Sequence, residues 1–179
     1  MRHLMLLLIA ILLSPLFFAQ TIIIQNNKMG VTDEDGDILI SAKYDNIVYE
    51  ARSNTYRVVL NGKKGLLDED GDVLIPVIYD DIEIRDNTYR VTLNRKKGLL
   101  DEDGDILIPA EYDDIAYQAK NNTYWITLNK KKGVLDEDGD QILPCEFDKI
   151  EFKKDKYHAT KGKQKMIFDE DGDEIDEDE

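Results

Sequence analysis

Carboxylates crowd around a glycine at five places in this chain. The string Asp-Glu-Asp-Gly-Asp stands at Asp33–Asp37, Asp68–Asp72, Asp101–Asp105, Asp136–Asp140 and Asp169–Asp173. Side-chain oxygens grouped beside a glycine are the raw material of a calcium loop, so divalent-cation binding is the first chemistry to test. An EF-hand loop takes oxygen ligands from positions 1, 3, 5 and 12 and needs glycine at position 6. With Gly104 at position 6, Asp101 and Asp103 fall on positions 3 and 5, but Leu99 falls on 1 and Ala110 on 12. The same frame puts Leu66 and Val77, and then Val134 and Cys145, on the two end positions. The outer ligands are missing each time. A turn accounts for every residue instead: the leading Asp bonds the backbone ahead of it, and Gly36, Gly71, Gly104, Gly139 and Gly172 take the left-handed conformation that closes a hairpin with a bulge. What remains of the metal reading is weak calcium capture, at around 10⁻⁴–10⁻³ M, by Asp33, Asp35, Asp68, Asp70, Asp101, Asp103, Asp136 and Asp138. No metal site is assigned and no cofactor is expected.

Nucleophilic chemistry has fewer parts. Past the leader described below, His158 is the sole histidine and Ser41 and Ser53 are the only serines. A nucleophile and base pair would have to join His158 to one of these or to Cys145. Cys145 follows the apolar run in the slot read as that of Ser41, Val77 and Ala110, which marks a packing position. One Cys and one His cannot build the usual four-ligand zinc site. Repeated solvated turns are not the two contrasting environments that paired-carboxylate chemistry demands. No catalytic residue is assigned, and the chain is not expected to be an enzyme.

The leader sets the address. MRHLMLLLIAILLSPLFFAQ has Arg2, an apolar run from Leu4 to Leu13, then Ser14, Pro15 and the small Ala19: the layout of a secretory signal peptide over residues 1–19. The run is too short for the roughly 20 residues that span a bilayer. The expected protein is therefore exported, to the periplasm, the cell surface or the medium, and is not inserted in the membrane after cleavage. Removing residues 1–19 takes one of the 23 basic side chains and none of the 38 acidic ones, leaving 22 against 38 and a net charge of −16. Such a chain is a poor partner for nucleic acid. With Cys145 as its only cysteine it has no internal disulfide, so packing and hydrogen bonds must hold it together.

The elements that position the carboxylates come from repetition. The five glycines are spaced 35, 33, 35 and 33 apart. Before three of them lies Lys-Lys-Gly and an apolar pair (Lys63–Leu67, Lys96–Leu100, Lys131–Leu135); after them comes an apolar run, often a proline, and YDNI, YDDI, YDDI and FDKI from Tyr44, Tyr79, Tyr112 and Phe147. TYRVVLN (Thr55–Asn61), TYRVTLN (Thr88–Asn94) and TYWITLN (Thr123–Asn129) alternate apolar and polar residues with the period of a strand. The expected fold is all-β: an antiparallel repeat array of about four and a half units of 33–35 residues, an open twisted sheet or solenoid, with a closed propeller-like form as the alternative. Residues 20–173 form the repeat domain and 174–179 an acidic tail. Each unit reads as four strands, the first beginning at YDDI, and odd and even units differ by two residues in the first turn. An up-and-down order puts the acidic turns on one rim and Lys63, Lys64, Arg95, Lys96, Lys97, Lys130, Lys131 and Lys132 on the other, an electrically lopsided array.

The unit K-K-G-L-L-D-E-D-G-D-I-L-I-P-A-E-Y-D-D-I, at Lys96–Ile115, resembles the WG repeat, also called the KWG repeat. The resemblance runs from about Lys28 to the end. At the position of the family's tryptophan this chain has Lys64, Lys97 and Lys132, and Met29 in the first unit; the sole tryptophan, Trp125, lies in another strand. The resemblance implies a β-rich interaction module, common in exported bacterial proteins, with no shared chemistry and no functional residues to carry over.

The expected function is that of an exported, non-enzymatic module with a protein partner. The alternatives are a passive structural envelope protein, or a weak calcium or glycan binder acting through the acidic turns. Trp125 and Tyr117 are the aromatic residues outside the repeat register that could mark a contact patch, although Trp125 shares its strand position with Arg57 and Arg90. The regularly spaced Tyr44, Tyr79, Tyr112 and Phe147 read as core. The sequence sets no oligomeric state.

Overall fold

Alternation at period two, with β-branched and aromatic residues in the alternating places, makes strands of nearly every segment between turns. In the computed structural model, which describes residues 20–85 and 88–176, all regular structure is β-strand. The expected leader, residues 1–19, lies outside the described residues, and no described helix is long and apolar enough to cross a membrane. The first sheet holds β1 (Thr21–Gln25), β2 (Lys28–Thr32) and β3 (Ile38–Tyr44). The second holds β4 (Asn46–Glu50), β5 (Thr55–Leu60), β6 (Lys63–Leu67) and β7 (Val73–Tyr79). The third holds β8 (Asp81–Arg85), β9 (Thr88–Leu93), β10 (Lys96–Leu100) and β11 (Ile106–Tyr112). The fourth holds β12 (Asp114–Gln118), β13 (Thr123–Leu128), β14 (Lys131–Leu135) and β15 (Gln141–Phe147). The fifth holds β16 (Lys149–Lys153), β17 (Lys156–Lys161), β18 (Gln164–Phe168) and the short β19 (Glu174–Ile175). Each sheet is an antiparallel meander with its strands in chain order.

Two details depart from the sequence reading. The aromatic residue of Y-D-D-I closes the last strand of one sheet rather than opening the next: Tyr44, Tyr79, Tyr112 and Phe147 end β3, β7, β11 and β15, and one Asp crosses to the following sheet. The segment expected to begin an acidic tail at Glu174 instead adds β19 to the fifth sheet, pairing Phe168 with Glu174 and Ile167 with Ile175. The described residues fall into two compact units, the first ending at Ile82 and the second beginning at Glu83.

Within each unit the core lies between neighbouring sheets. In the first, Val31, Ile40 and Tyr44 meet Ile47, Tyr56, Val58 and Leu67. In the second, Leu99 and Ile108 meet Ile115, Ile126 and Leu135, while Val134, Leu143 and Phe147 meet Ile150, Tyr157, Ala159 and Phe168. Val134 and Leu135 are adjacent in β14 and face opposite clusters, which is why the Gly-apolar-apolar strands lose the alternation of a half-exposed strand. Each such side chain, fully buried, contributes about 1.5–3 kcal/mol.

The last strand of each sheet is an edge, and in the second, third and fourth sheets the sequence guards it with proline. Pro76, Pro109 and Pro144 sit in β7, β11 and β15, where a missing N–H leaves no ladder bond unmade. The pairing register slips twice between β10 and β11, and the same bulges recur in the equivalent pairs of the first, second and fourth sheets. The bulged strand crowds its neighbour, which explains the glycine of K-K-G: a Cβ on Gly98 would lie 2.7 Å from Ile108 O and 2.8 Å from Ala110 Cα. The fifth sheet has Met166 in that place, opposite no bulged strand, because β19 is only two residues long.

Candidate functional site

The five Asp-Glu-Asp-Gly-Asp turns are built alike. Asp101 opens the third: its Oδ1 accepts the N–H of Asp103 at 3.1 Å and of Asp105 at 2.8 Å, while Asp101 N–H donates to Asp105 O at 2.9 Å. Asp33, Asp68, Asp136 and Asp169 make the same two side-chain bonds. The leading carboxylate of each turn is thus spent on backbone donors. Gly36, Gly71, Gly104, Gly139 and Gly172 have φ between 83° and 89°, as the turn reading requires. Some of these glycines answer a second demand. A Cβ on Gly139 would lie 2.2 Å from Leu107 O in β11, so the fourth turn rests on the outer strand of the third sheet. Among the described residues, no group of three or more acidic, His or Cys side chains converges as a metal site would need.

The expected basic rim is different in kind. Lys28 bonds Asp45, Lys63 bonds Asp80 and Lys96 bonds Asp113; Lys64 bonds Asp81, Lys97 bonds Asp114 and Lys131 bonds Asp148, each of these three at 2.5 Å. The lysines of one hairpin therefore face the aspartates that open the next sheet, and most of that rim is neutralised by pairs rather than lopsided. The first Asp of the crossing also braces the backbone of the next hairpin. Asp45 Oδ2 accepts the N–H of Asn61, Asp113 Oδ2 that of Asn129, and Asp148 Oδ2 that of Gly162, each at 2.7 Å. These hairpins turn through residues with positive φ, such as Asn129 and Lys130, the twist of the favoured two-residue turn and the reason for its Asn. The neighbouring ammonium first, then these backbone bonds, hold Asp45, Asp113 and Asp148 below the ordinary Asp range. The pattern breaks once. Lys149 stands where Asp81 and Asp114 stand, and turns to Glu151 at 2.9 Å, so Lys132 has no aspartate opposite it.

Charge is left over at the acidic turns. No ion pair among the described residues reaches a carboxylate of any Asp-Glu-Asp-Gly-Asp string; the pairs go to carboxylates elsewhere, at Asp45, Glu50, Asp80, Asp81, Glu83 and their later counterparts and at Glu146. In the second unit the fourth and fifth turns border an open groove of about 490 Å³, whose lining includes Glu137, Asp138, Glu170 and Asp171 with Phe152 and Tyr157. The long first turns order this end of their sheets. Tyr117 donates its hydroxyl to Asn122, and Asn122 donates its amide to Glu137; Tyr49, Asn54 and Glu69 form the same relay in the first unit. The odd and even difference therefore has a structural product. β16 and β17 are joined by Lys154 and Asp155 alone, and Phe152 takes the tyrosine's place.

The residues weighed for chemistry are dispersed. Ser53 Oγ shares a hydrogen bond of 2.8 Å with Thr55 and points at Glu50 O. Cys145 packs on the cluster of Leu99, Ile108 and Ile126, and burial raises its thiol above the ordinary range, away from nucleophile behaviour. Its strand position matches Ala42, Val77 and Ala110; Ser41 lies one place earlier, with Pro76, which corrects the slot read from sequence. His158 occupies β17 opposite Glu151 and Ile167. Trp125 shares its position with Arg57 and Arg90, and packs on the cluster between the fourth and fifth sheets rather than forming an open patch; Tyr117 is 52% exposed. Tyr44, Tyr79 and Phe147 are buried as core.

Repeated antiparallel meanders joined by shared cores define an all-β repeat protein. The chain belongs to the WG repeat family: it matches the WG containing repeat over residues 29–63, 65–96, 98–131 and 133–162. The first matched stretch begins in the second strand of the three-stranded first sheet and the other three in the third strand of a sheet, and each ends in or beside the third strand of the next, so one sequence repeat straddles two sheets. No curated protein matches the sequence. Among solved structures the chain is similar to a eukaryotic initiation factor, at 8% identity and a TM-score of 0.37, over 83% of this chain and 48% of that one. It is also similar to PorZ, a bacterial surface component of the type-IX secretion system of Porphyromonas gingivalis, at 14% identity and a TM-score of 0.35, over 87% and 26% of the two chains. The chain spans less than half of either protein, and likenesses at these TM-scores add nothing to the family assignment.

Proposed function

We propose that this WG repeat protein is an exported, non-catalytic module that binds a protein partner through its acidic turns. One observation carries the reading: most lysines of the Lys-Lys hairpins pair with the crossing aspartates, whereas the acidic turns at the opposite strand ends join no ion pair among the described residues. Clustered uncompensated charge steers a partner of the opposite sign. The buried thiol and the bonded Ser53 offer no activated nucleophile in support of a catalytic alternative. Repeat surfaces of this kind suit an extended contact, and the leader of residues 1–19 supports export.

The test is capture in place. A tagged chain is expressed with its own leader, crosslinked in the intact envelope and purified. Recovery of one basic protein in stoichiometric amount is the expected result. Recovery of the chain alone, at every crosslinker length, rejects the interaction reading in favour of a passive structural role.

A further inference from the structure

We propose that the groove between the fourth and fifth sheets is the docking site for an extended lysine- or arginine-rich segment of a protein partner. This rests on the interaction reading above and gives it a place and a ligand chemistry. The groove, about 490 Å³, lies wholly within the second unit and is not walled by acid alone. Phe152 and Tyr157 contribute an aromatic surface, their ring centroids 4.8 Å apart. Glu137 and Asp138 come from the fourth turn, Glu170 and Asp171 from the fifth, and none of them joins an ion pair among the described residues.

The chain's own Lys120 shows that an ammonium fits against this lining. Lys120 reaches in from the turn before β13, and its Nζ lies 5.1 Å from the centroid of the Phe152 ring. This ammonium already occupies the aromatic face, so a partner's cation must displace it toward solvent or lie beside it against the carboxylates. The mixed lining suits a side chain with an apolar stem and a charged head, which describes Lys and Arg and not a bare metal ion. Glu137 is also preset: Asn122 holds its carboxylate, and the Tyr117 hydroxyl holds Asn122, so less freedom is lost when a cation arrives. In the first unit Arg52 and Tyr49 stand where Lys120 and Tyr117 stand, but among the described residues no aromatic ring lies beneath the Arg52 guanidinium.

The test uses a labelled deca-lysine peptide followed by fluorescence anisotropy, with deca-glutamate as the control of sign. Trp125, the sole tryptophan, packs in the same cluster as Phe152, so its emission reports on the groove independently. Glu137→Gln with Glu170→Gln is compared with Glu34→Gln and Asp35→Asn, which remove the same charge from a turn of the first unit. The expected result is at least a tenfold loss of deca-lysine affinity for the groove variant, less than twofold for the control, a smaller loss for Phe152→Leu, and a Trp125 response only where the groove is intact. Equal loss in both variants overturns the groove while leaving binding by the acidic turns standing. Absence of deca-lysine binding at low salt, while the envelope crosslink still recovers a partner, also overturns the groove alone. Stoichiometric calcium uptake abolished by the groove variant, with no peptide binding, overturns it in favour of a metal site.

Discussion

Lys97 Nζ donates to Asp114 Oδ1 at 2.5 Å, joining the third strand of one sheet to the first strand of the next. Lys97 stands where the family carries its tryptophan, so an ion pair occupies a place built for an aromatic ring. Lys64 and Asp81 repeat the pair in the first unit. Both partners of the Lys97 pair are more than a third exposed, and solvent screening keeps such pairs below about 1 kcal/mol. A double-mutant cycle of Lys97→Met and Asp114→Asn, read by urea unfolding, is expected to give a coupling of about 0.2–1 kcal/mol. A coupling several times larger would show that the pair holds the sheets together.

Acid should weaken the protein in a definite window. Asp45, Asp81, Asp113, Asp114 and Asp148 are held below their ordinary value, in each case chiefly by the lysine hydrogen bond, and Glu151 lies at about 2 between Lys149 and Lys153. A depressed carboxyl contributes stability that is complete above its unfolded value, about 4, and is lost as pH falls through the folded value. Tm is therefore expected to fall between about pH 4 and pH 2. The loss should be shallower in a variant carrying Asp113→Asn and Asp148→Asn. A variant that loses Tm with falling pH as steeply as the parent chain would refute the assignment.

Gly36 and Gly139 separate backbone strain from close approach. Both have strongly positive φ, but a Cβ on Gly36 meets nothing within 4 Å while one on Gly139 would lie 2.2 Å from Leu107 O. Gly36→Ala is expected to cost about 1–3 kcal/mol from strain alone. Gly139→Ala adds a backbone clash and should cost clearly more, as chemical denaturation of the two variants would show. Equal costs would mean that the fourth turn does not rest on β11.

Trp125 Nε1 is buried without a hydrogen-bond partner, whereas Arg57 and Arg90, at the same strand position, donate to Ile82 O and Ile115 O. Trp125→Arg is therefore expected to fold, with a guanidinium able to reach the backbone as its counterparts do. Trp125→Ala should cost about 3–5 kcal/mol for lost packing. Circular dichroism melts check both. Failure of Trp125→Arg to fold would show that this indole is indispensable to the core.

The Cys145 thiol should be slow to react. Burial raises it above its ordinary value, so less thiolate is present at pH 8 and access is restricted. Its reaction with an aromatic disulfide reagent is expected to be at least tenfold slower in the native chain than in urea. Matching rates would place the thiol at the surface.

Strands and turns are legible in the sequence because their causes are local. Thr88–Leu93 is β9 as its alternation predicts, and the Asp that opens each acidic turn makes the backbone bonds its position implies. The pairing of the rims is not, since Lys63 and Asp80 come together only when one sheet hands over to the next. A trace of it stands in the sequence: the lysine pairs and the Y-D-D segments keep a constant offset. The slot of Cys145 is displaced by one residue in the sequence reading because the first repeat lacks a proline, which leaves Ser41 aligned one place too late. The groove depends on Phe152 and Tyr157 lying near the turns of two sheets, which no single-repeat pattern encodes.

The alternation of long and short first turns bears on how such a chain can change its length. Four residues join β4 to β5 and β12 to β13, but only two join β16 to β17. Copying a single repeat would set two long-turned sheets side by side, with the Tyr117 relay where the Phe152 ring now lies. Copying a consecutive pair would leave every sheet with its present kind of neighbour. The heritable quantum of this array is thus the couple, and lineages that shorten or extend it without disturbing their contacts should do so two sheets at a time.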